Sequence, residues 1–140
     1  MCPPSQTAFS VGAMLVSDAG RLIATGYSRE CDPADHAEEI AMAKVTSAGR
    51  GRVTSLGAWL AGATLYSSLE PCLRRASRPR PCAELIAAAG IGRVVLAWLE
   101  PPLFVPGGGA AWLREAGVSV IEIPELSAAA RAVNAHLLAG

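Results

Sequence analysis

One imidazole and two thiols, at His36, Cys72 and Cys82, make a donor set suited to a soft, tetrahedral divalent ion. Zinc is the ion that fits, one per chain, with three protein ligands and the fourth position left to a water or hydroxide. A closed site with four protein ligands would instead indicate a structural role. Glu38 stands two residues beyond His36, close enough to touch that water without being needed as a ligand. A metal that acidifies water, beside a carboxylate that shuttles its proton, is equipment for hydrolysing an amine from a ring. In such a reaction Glu38 takes a proton from the water, passes it to a ring nitrogen and helps protonate the departing ammonia.

Each of these residues also has a plainer use. Asp35-x-x-Glu38 has the spacing of a capping box, which would make Glu38 only a helix-start residue. Cys72 and Cys82 could be buried thiols, or half of a structural zinc site completed by Cys31. His136 falls at the end of the last helix, where a cation suits the dipole, and reads as structural. Arg74, Arg75, Arg78 and Arg80 crowd between the two cysteines. A charge run is commonly a solvated face. At the mouth of a metal site, forked donors at Arg74 and Arg75 would equally suit a phosphate or other anionic group on a substrate. Trp59, Trp98 and Trp112 are widely spaced, so core packing explains them more cheaply than base stacking.

The chemistry needs a scaffold, and the composition supplies one. A chain of 140 residues, 51% of them apolar, is long enough for a single domain over 1–140 with a real core. No apolar run reaches the ~18 residues that a membrane span needs. The N-terminal residues show neither a basic nor an apolar leader pattern, so a cytoplasmic protein is expected. Twelve basic residues balance twelve acidic ones, and no basic stripe extends beyond one loop. A polynucleotide partner is therefore not expected.

The elements alternate. Residues 11–16 and 21–27, joined by a turn at Asp18-Ala19-Gly20, read as a β-hairpin. Asp35 is placed to cap a helix over 36–48 that ends at Gly49 and Gly51. A third strand over 63–69 delivers the chain to Glu70-Pro71-Cys72. A second helix starts at Cys82 and ends at Gly90, and its dipole favours a thiolate at Cys82. A strand over 93–98, a loop over 101–109, a helix over 110–116, a strand over 118–123 and a closing amphipathic helix over 125–138 complete the chain. Five strands with interleaved helices predict a three-layer α/β/α fold around a mixed five-stranded sheet, strands 4 and 5 parallel.

His-x-Glu followed by Pro-Cys and a second Cys resembles the signature of the zinc-dependent cytidine-deaminase-like superfamily. The run 64–72, the arginine- and proline-rich loop, and 81–95 further resemble the deaminase domain of the riboflavin-biosynthesis deaminase/reductase family. Nine residues, 73–81, separate the cysteines here, whereas other branches often have a single pair. The resemblance implies a cytidine-deaminase-like fold with His36, Cys72 and Cys82 as ligands and Glu38 as proton shuttle. It also implies a heterocyclic amine substrate, a diaminopyrimidinone bearing a ribosylamino phosphate, and a homodimer or larger assembly. Two stretches depart from that family. Thr7-Ala8-Phe9-Ser10-Val11-Gly12-Ala13 looks more like the small-nucleoside cytidine deaminases, which makes Phe9 a candidate substrate contact. Ser28 stands where relatives carry Asn or His toward substrate. Cytidine, deoxycytidylate or free-base substrates therefore stay open, as does a specialised role in secondary metabolism. A zinc-stabilised binding module is the reading from outside the enzyme class.

Overall fold

The computed structural model describes residues 2–47, 60–104 and 106–139, apart from the side chains of Thr46 and Ser47. The expected stop signals at Gly49 and Gly51, the helix end at Ala48, and Trp59 all lie outside the described residues.

Strands β1 (Gly12–Val16) and β2 (Leu22–Tyr27) form the expected hairpin. Gly20 takes a left-handed φ of 81° in its turn, where a side chain would be strained. Strand β3 (Thr64–Ser67) pairs antiparallel with β1, opposing Leu65 to Leu15. Strands β4 (Arg93–Leu96) and β5 (Ser119–Glu122) extend the sheet in parallel, giving the order β2-β1-β3-β4-β5. The mixed sheet with β4 and β5 parallel is as the sequence predicts. Each strand is shorter than its apolar run, because the flanking residues turn into the loops that carry the site.

Side-chain alternation gives the sheet two unlike faces. Ala13, Leu15, Leu65 and Val94 point into the core, against helices α1 (Ala37–Ser47), α2 (Cys82–Ala88) and α3 (Gly109–Glu115). Helix α1 presents Ala37, Ala41 and Val45 at helical spacing, all fully or nearly buried. It lies very close to β2 at Gly26, where any side chain would collide with the carbonyl of Ala37 and come within 2.7 Å of the Ala41 amide. The small residues on both sides let the start of α1 reach the sheet edge, and the site with it.

The opposite face is thinly covered. The sequence pattern predicts one helix over 125–138; the chain instead forms a 3₁₀ turn (Pro124–Leu126), α4 (Ser127–Ala132) and α5 (Ala135–Leu138). Asn134 interrupts the helix. It is buried, and its side chain pairs with the backbone of Ser10 rather than facing solvent. Met14, Tyr66 and Val95 of the sheet and Leu126, Ala130 and Val133 of the C-terminal segment line an apolar cavity of about 640 Å³. Among the described residues no helix is long and apolar enough to cross a membrane.

Candidate active site

The candidate ligand residues arrive from three elements. His36 immediately precedes α1, Cys72 follows the end of β3, and Cys82 is the first residue of α2. His36 Nδ1 lies 3.5 Å from Cys72 Sγ and 3.6 Å from Cys82 Sγ. Potential ligand atoms of all three lie within 4.8 Å of one another, the one such group among the described residues. Cys31 is exposed and outside it, so the structure does not assemble the four-ligand alternative. The backbone closes the arrangement. Cys82 N donates to Cys72 Sγ (3.2 Å), and Ala83 N donates to the Cys72 carbonyl (3.0 Å).

The charge of the pair settles on one sulfur. Cys72 is pulled down to about 4, chiefly by a hydrogen bond from the Cys82 thiol; burial opposes this and His36 assists. That same hydrogen bond, followed by burial, pushes Cys82 well above the usual thiol range. The helix dipole argument places the thiolate at Cys82, but donor geometry places it at Cys72. Burial works against a charged His36; the hydrogen bond to Cys72 and the charge of Glu38 outweigh it and raise its pKa. A shared proton among one imidazole and two sulfurs is what a soft cation displaces, so these donors fit zinc.

Glu38 is 3% exposed and points inward, which no ordinary helix-start residue does. Burial raises its carboxyl above the usual range, against the attraction of His36. Ser67 Oγ donates to Glu38 Oε1 at 3.1 Å and holds it. The capping role falls one residue later. Glu39 Oε1 accepts from His36 N (2.9 Å), the reciprocal half of a capping box, while Asp35 Oδ2 accepts from Cys31 N and Asp32 N in the preceding turn. Glu38 is thereby left to the cavity.

Glu39 also fastens the arginine loop. Its Oε1 accepts from Arg75 Nη2 (3.1 Å) and Arg78 Nε (3.2 Å), and Arg75 Nη2 donates to the Ala34 carbonyl at 2.6 Å. The Arg75 side chain is 3% exposed. It borders the cavity with its donors already committed to the chain. Arg78 pairs with Asp35 (2.9 Å) and Arg80 stands 3.8 Å from Glu84. Arg74 is exposed at the cavity wall and makes no hydrogen bond or ion pair with any described residue.

The cavity, of about 310 Å³, opens beside His36, Glu38 and Cys72. Phe9 and Ser28 both line it. The Phe9 ring meets Trp98 (centroids 5.3 Å apart) and Phe104 (5.1 Å) edge to face. Ser28 Oγ accepts from Val11 N at 3.0 Å, tying the cavity wall to β1. Trp112 packs against the core, as its spacing suggests. His136 hydrogen bonds the Ser5 carbonyl (2.8 Å).

Four residues escape the sequence reading. Ser67 carries a faint signal, being a polar residue on the core-facing side of a strand. Glu70 is buried and accepts from Glu100 N (3.1 Å) and Ala110 N (2.9 Å), which folds the 98–110 loop against the site. Gly109 belongs to that joint, since any side chain there would collide with the carbonyl of Pro71. Glu100 lines the cavity, and its carboxyl is raised to about 8 by burial and then by the negative charges of Cys72, Glu70 and Glu38.

Sheet order and this His/Cys/Cys cluster define a zinc-site α/β domain. Residues 2–98 match the cytidine and deoxycytidylate deaminase zinc-binding region, and the chain belongs to that family. It is similar to the diaminohydroxyphosphoribosylamino-pyrimidine deaminase of Schizosaccharomyces pombe, 41% identical over 121 residues, covering 86% of this chain and 28% of that protein. The riboflavin biosynthesis protein RibD of Aquifex aeolicus is 35% identical over 111 residues, 79% of this chain and 27% of its own length. The chain thus spans less than a third of these curated relatives. Among solved structures, the Thermotoga maritima diaminohydroxyphosphoribosylaminopyrimidine deaminase/5-amino-6-(5-phosphoribosylamino)uracil reductase superposes with a TM-score of 0.70 at 32% identity, over 88% of this chain and 32% of that one. The Aspergillus oryzae Rib2 deaminase gives 0.79 at 25% identity, over 94% and 81%.

Proposed function

We propose that this chain is a single zinc-dependent aminohydrolase domain that deaminates a riboflavin-pathway diaminopyrimidine carrying a ribosylamino phosphate. The observation that carries the reading is a buried Glu38 carboxyl, held by Ser67, on the wall of a cavity that also exposes His36 and Cys72. A binding module has no use for a carboxyl buried at such a cost beside its metal site. The similarity to the fission-yeast and Aquifex proteins supports the substrate class.

His36, Cys72 and Cys82 would hold one zinc ion per chain. When bound, zinc would supply Lewis acidity, lowering the pKa of a bound water toward neutrality. The rest of the work falls to the chain. Glu38, its carboxyl raised above the usual range by burial, accepts the proton of the attacking water and delivers it to a ring nitrogen. It then takes the remaining hydroxyl proton of the tetrahedral adduct and passes it to the amino group, so that ammonia departs and a carbonyl remains. Ser67 keeps the carboxyl aimed through both transfers. Phe9 walls the ring, and Ser28 lines the floor through the oxygen it shares with β1. Arg74 offers its free guanidinium to the phosphate, while Arg75 shapes the loop and lends positive charge.

Phe9 on the cavity wall gives a cytidine compound or a free base a specific claim as the alternative substrate. The chain is also expected to assemble as a homodimer or larger, because Met14, Ile121, Leu126 and Val133 stay exposed over the thinly covered sheet face. Light scattering at micromolar concentration tests that, and a monomeric mass would oppose it. Four free thiols suit a reducing compartment such as the cytoplasm.

Ammonia release by the zinc-loaded protein, across the phosphorylated ribosylaminopyrimidine, cytidine, deoxycytidylate, cytosine, guanine and adenine, tests the function. Turnover of the first alone is the expected result. Turnover of a cytidine compound or base would transfer the assignment to that class, and release from none would defeat the enzyme reading.

A further inference from the structure

The C-terminal segment lies beyond the residues that match the family, yet it reaches the cavity wall by two independent routes. Asn134 is 2% exposed. Its Oδ1 accepts from Ser10 N (2.6 Å) and its Nδ2 donates to the Ser10 carbonyl (3.0 Å), the two bonds a neighbouring strand would make. A further bond from Nδ2 to the Ala130 carbonyl at 3.2 Å fixes the amide to α4. Ser10 adjoins Phe9, whose ring borders the cavity beside His36 and Glu38. The second route runs through Arg131, whose guanidinium carbon sits 5.7 Å from the centre of the Trp98 ring, and Trp98 meets Phe9 edge to face.

Nothing about closing the sheet requires this arrangement. Breaking the helix at Asn134 gives up helical bonds and buries an amide, a choice that costs stability unless every polar atom is paired. Among the described residues Phe9 and Ser10, ahead of Gly12 where β1 begins, have no strand partner, although Arg29 Nη1 donates to the Phe9 carbonyl (3.2 Å). Asn134 acts as that partner.

We infer that Asn134 is a positioning residue for substrate: through Ser10, and with Arg131 behind Trp98, the C-terminal helices set the Phe9 wall of the cavity. The inference rests on the cavity being the substrate site. Its consequence is specific to binding. The metal ligands and Glu38 come from other elements, so loosening this wall weakens the hold on the ring and leaves the proton transfers intact.

Three variants test it, each read by kinetics, zinc content and hydrogen exchange. Asn134→Ala removes the bridge; Arg131→Met and His136→Ala alter exposed side chains and leave the fold in place should the first prove unstable. For Asn134→Ala, KM for the turned-over substrate is expected to rise about tenfold, the effect of one or two lost buried hydrogen bonds. Turnover and zinc should stay within about twofold. Arg131→Met should raise KM by a few-fold, and His136→Ala, which frees only Ser5, should change it least. Amide exchange at residues 7–11 should accelerate in Asn134→Ala while residues 36–40 keep wild-type protection. Unchanged KM in both Asn134→Ala and Arg131→Met, or kcat and zinc falling in step with KM, would overturn the inference. Should the wild-type protein release no ammonia, the functional proposal fails on its own. Exchange then decides the coupling, and protection at 7–11 unmoved by Asn134→Ala would reject it.

Discussion

The metal centre and the rim of the cavity are built in opposite ways. The centre takes its residues from the starts of α1 and α2 and the end of β3, all backed by the core, with backbone bonds from Cys82 and Ala83 closing it. The rim is assembled from chain ends and loops: Phe9 from the N-terminal segment, Phe104 and Glu100 from a long connection, and Arg74 from the inter-cysteine loop, with Asn134 of the C-terminal segment bonded to Ser10 behind it. If the proposed function holds, reaction type belongs to the centre and substrate choice to the rim, and changes at the rim should leave the chemistry running.

Removing a ligand should produce the largest effect. Cys72→Ala takes the sulfur that holds the negative charge and accepts from Cys82, so zinc retention and turnover should both fall to background. Metal analysis after dialysis checks this; full zinc content would break the assignment of the centre.

Glu39 joins the two regions and comes next. Its loss leaves the Arg75 guanidinium buried without a carboxylate and the His36 amide without its cap. Glu39→Ala should therefore cost about 3 kcal/mol of stability, measurable by denaturant unfolding. The pH dependence follows from the direction of the shift. Arg75, with the His36 amide and Arg78, holds Glu39 below the usual carboxylate range despite partial burial. Its contribution is present above the ordinary carboxylate pKa and is lost as pH falls through the lowered value, so the variant should differ least from wild type in acid.

Glu100 has the opposite sign. Folding raises its carboxyl from 4.5 to about 8, so the folded protein keeps a proton that the unfolded chain releases between those values. Stability is fully present below 4.5 and declines as pH climbs toward 8. Glu100→Gln should raise the melting temperature at pH 8.5 and change it little at pH 5, with the larger gain in metal-free protein, where the Cys72 charge is uncompensated. An equal gain at both pH values would show that Glu100 does not ionise within the cavity.

The smallest effect is at Arg74, exposed and unpartnered among the described residues. Arg74→Ala should leave stability unchanged and raise KM a few-fold for a phosphorylated substrate only, fading at high salt. The same loss with an uncharged substrate would remove Arg74 from phosphate recognition.

The difference between the two regions also marks what the sequence could disclose. His36, Glu38, Cys72 and Cys82 are legible because their chemistry is local: short motifs at the starts and ends of periodic elements. The mixed sheet and its parallel β4–β5 pair followed from the alternation of strand and helix, whereas the order of the strands did not. The role of Glu39 was hidden by one residue, since Asp35-x-x-Glu38 offers the same spacing as the box that forms between His36 and Glu39. Glu70 and Asn134 were not legible, because their partners lie 30 and more residues away. The pattern over 125–138 reads as one amphipathic helix and says nothing of the buried amide that parts α4 from α5.

The central claim is that one buried carboxyl moves the proton at a metal centre it does not itself hold. Glu38→Gln keeps the size of the side chain and an oxygen that Ser67 can still reach. Zinc content and ammonia release, measured together on this variant, test the claim most directly. The expected result is one zinc per chain, as in wild type, with turnover lower by about 10²- to 10⁴-fold. Wild-type turnover in Glu38→Gln would contradict it, as would a loss of zinc equal to the loss of activity.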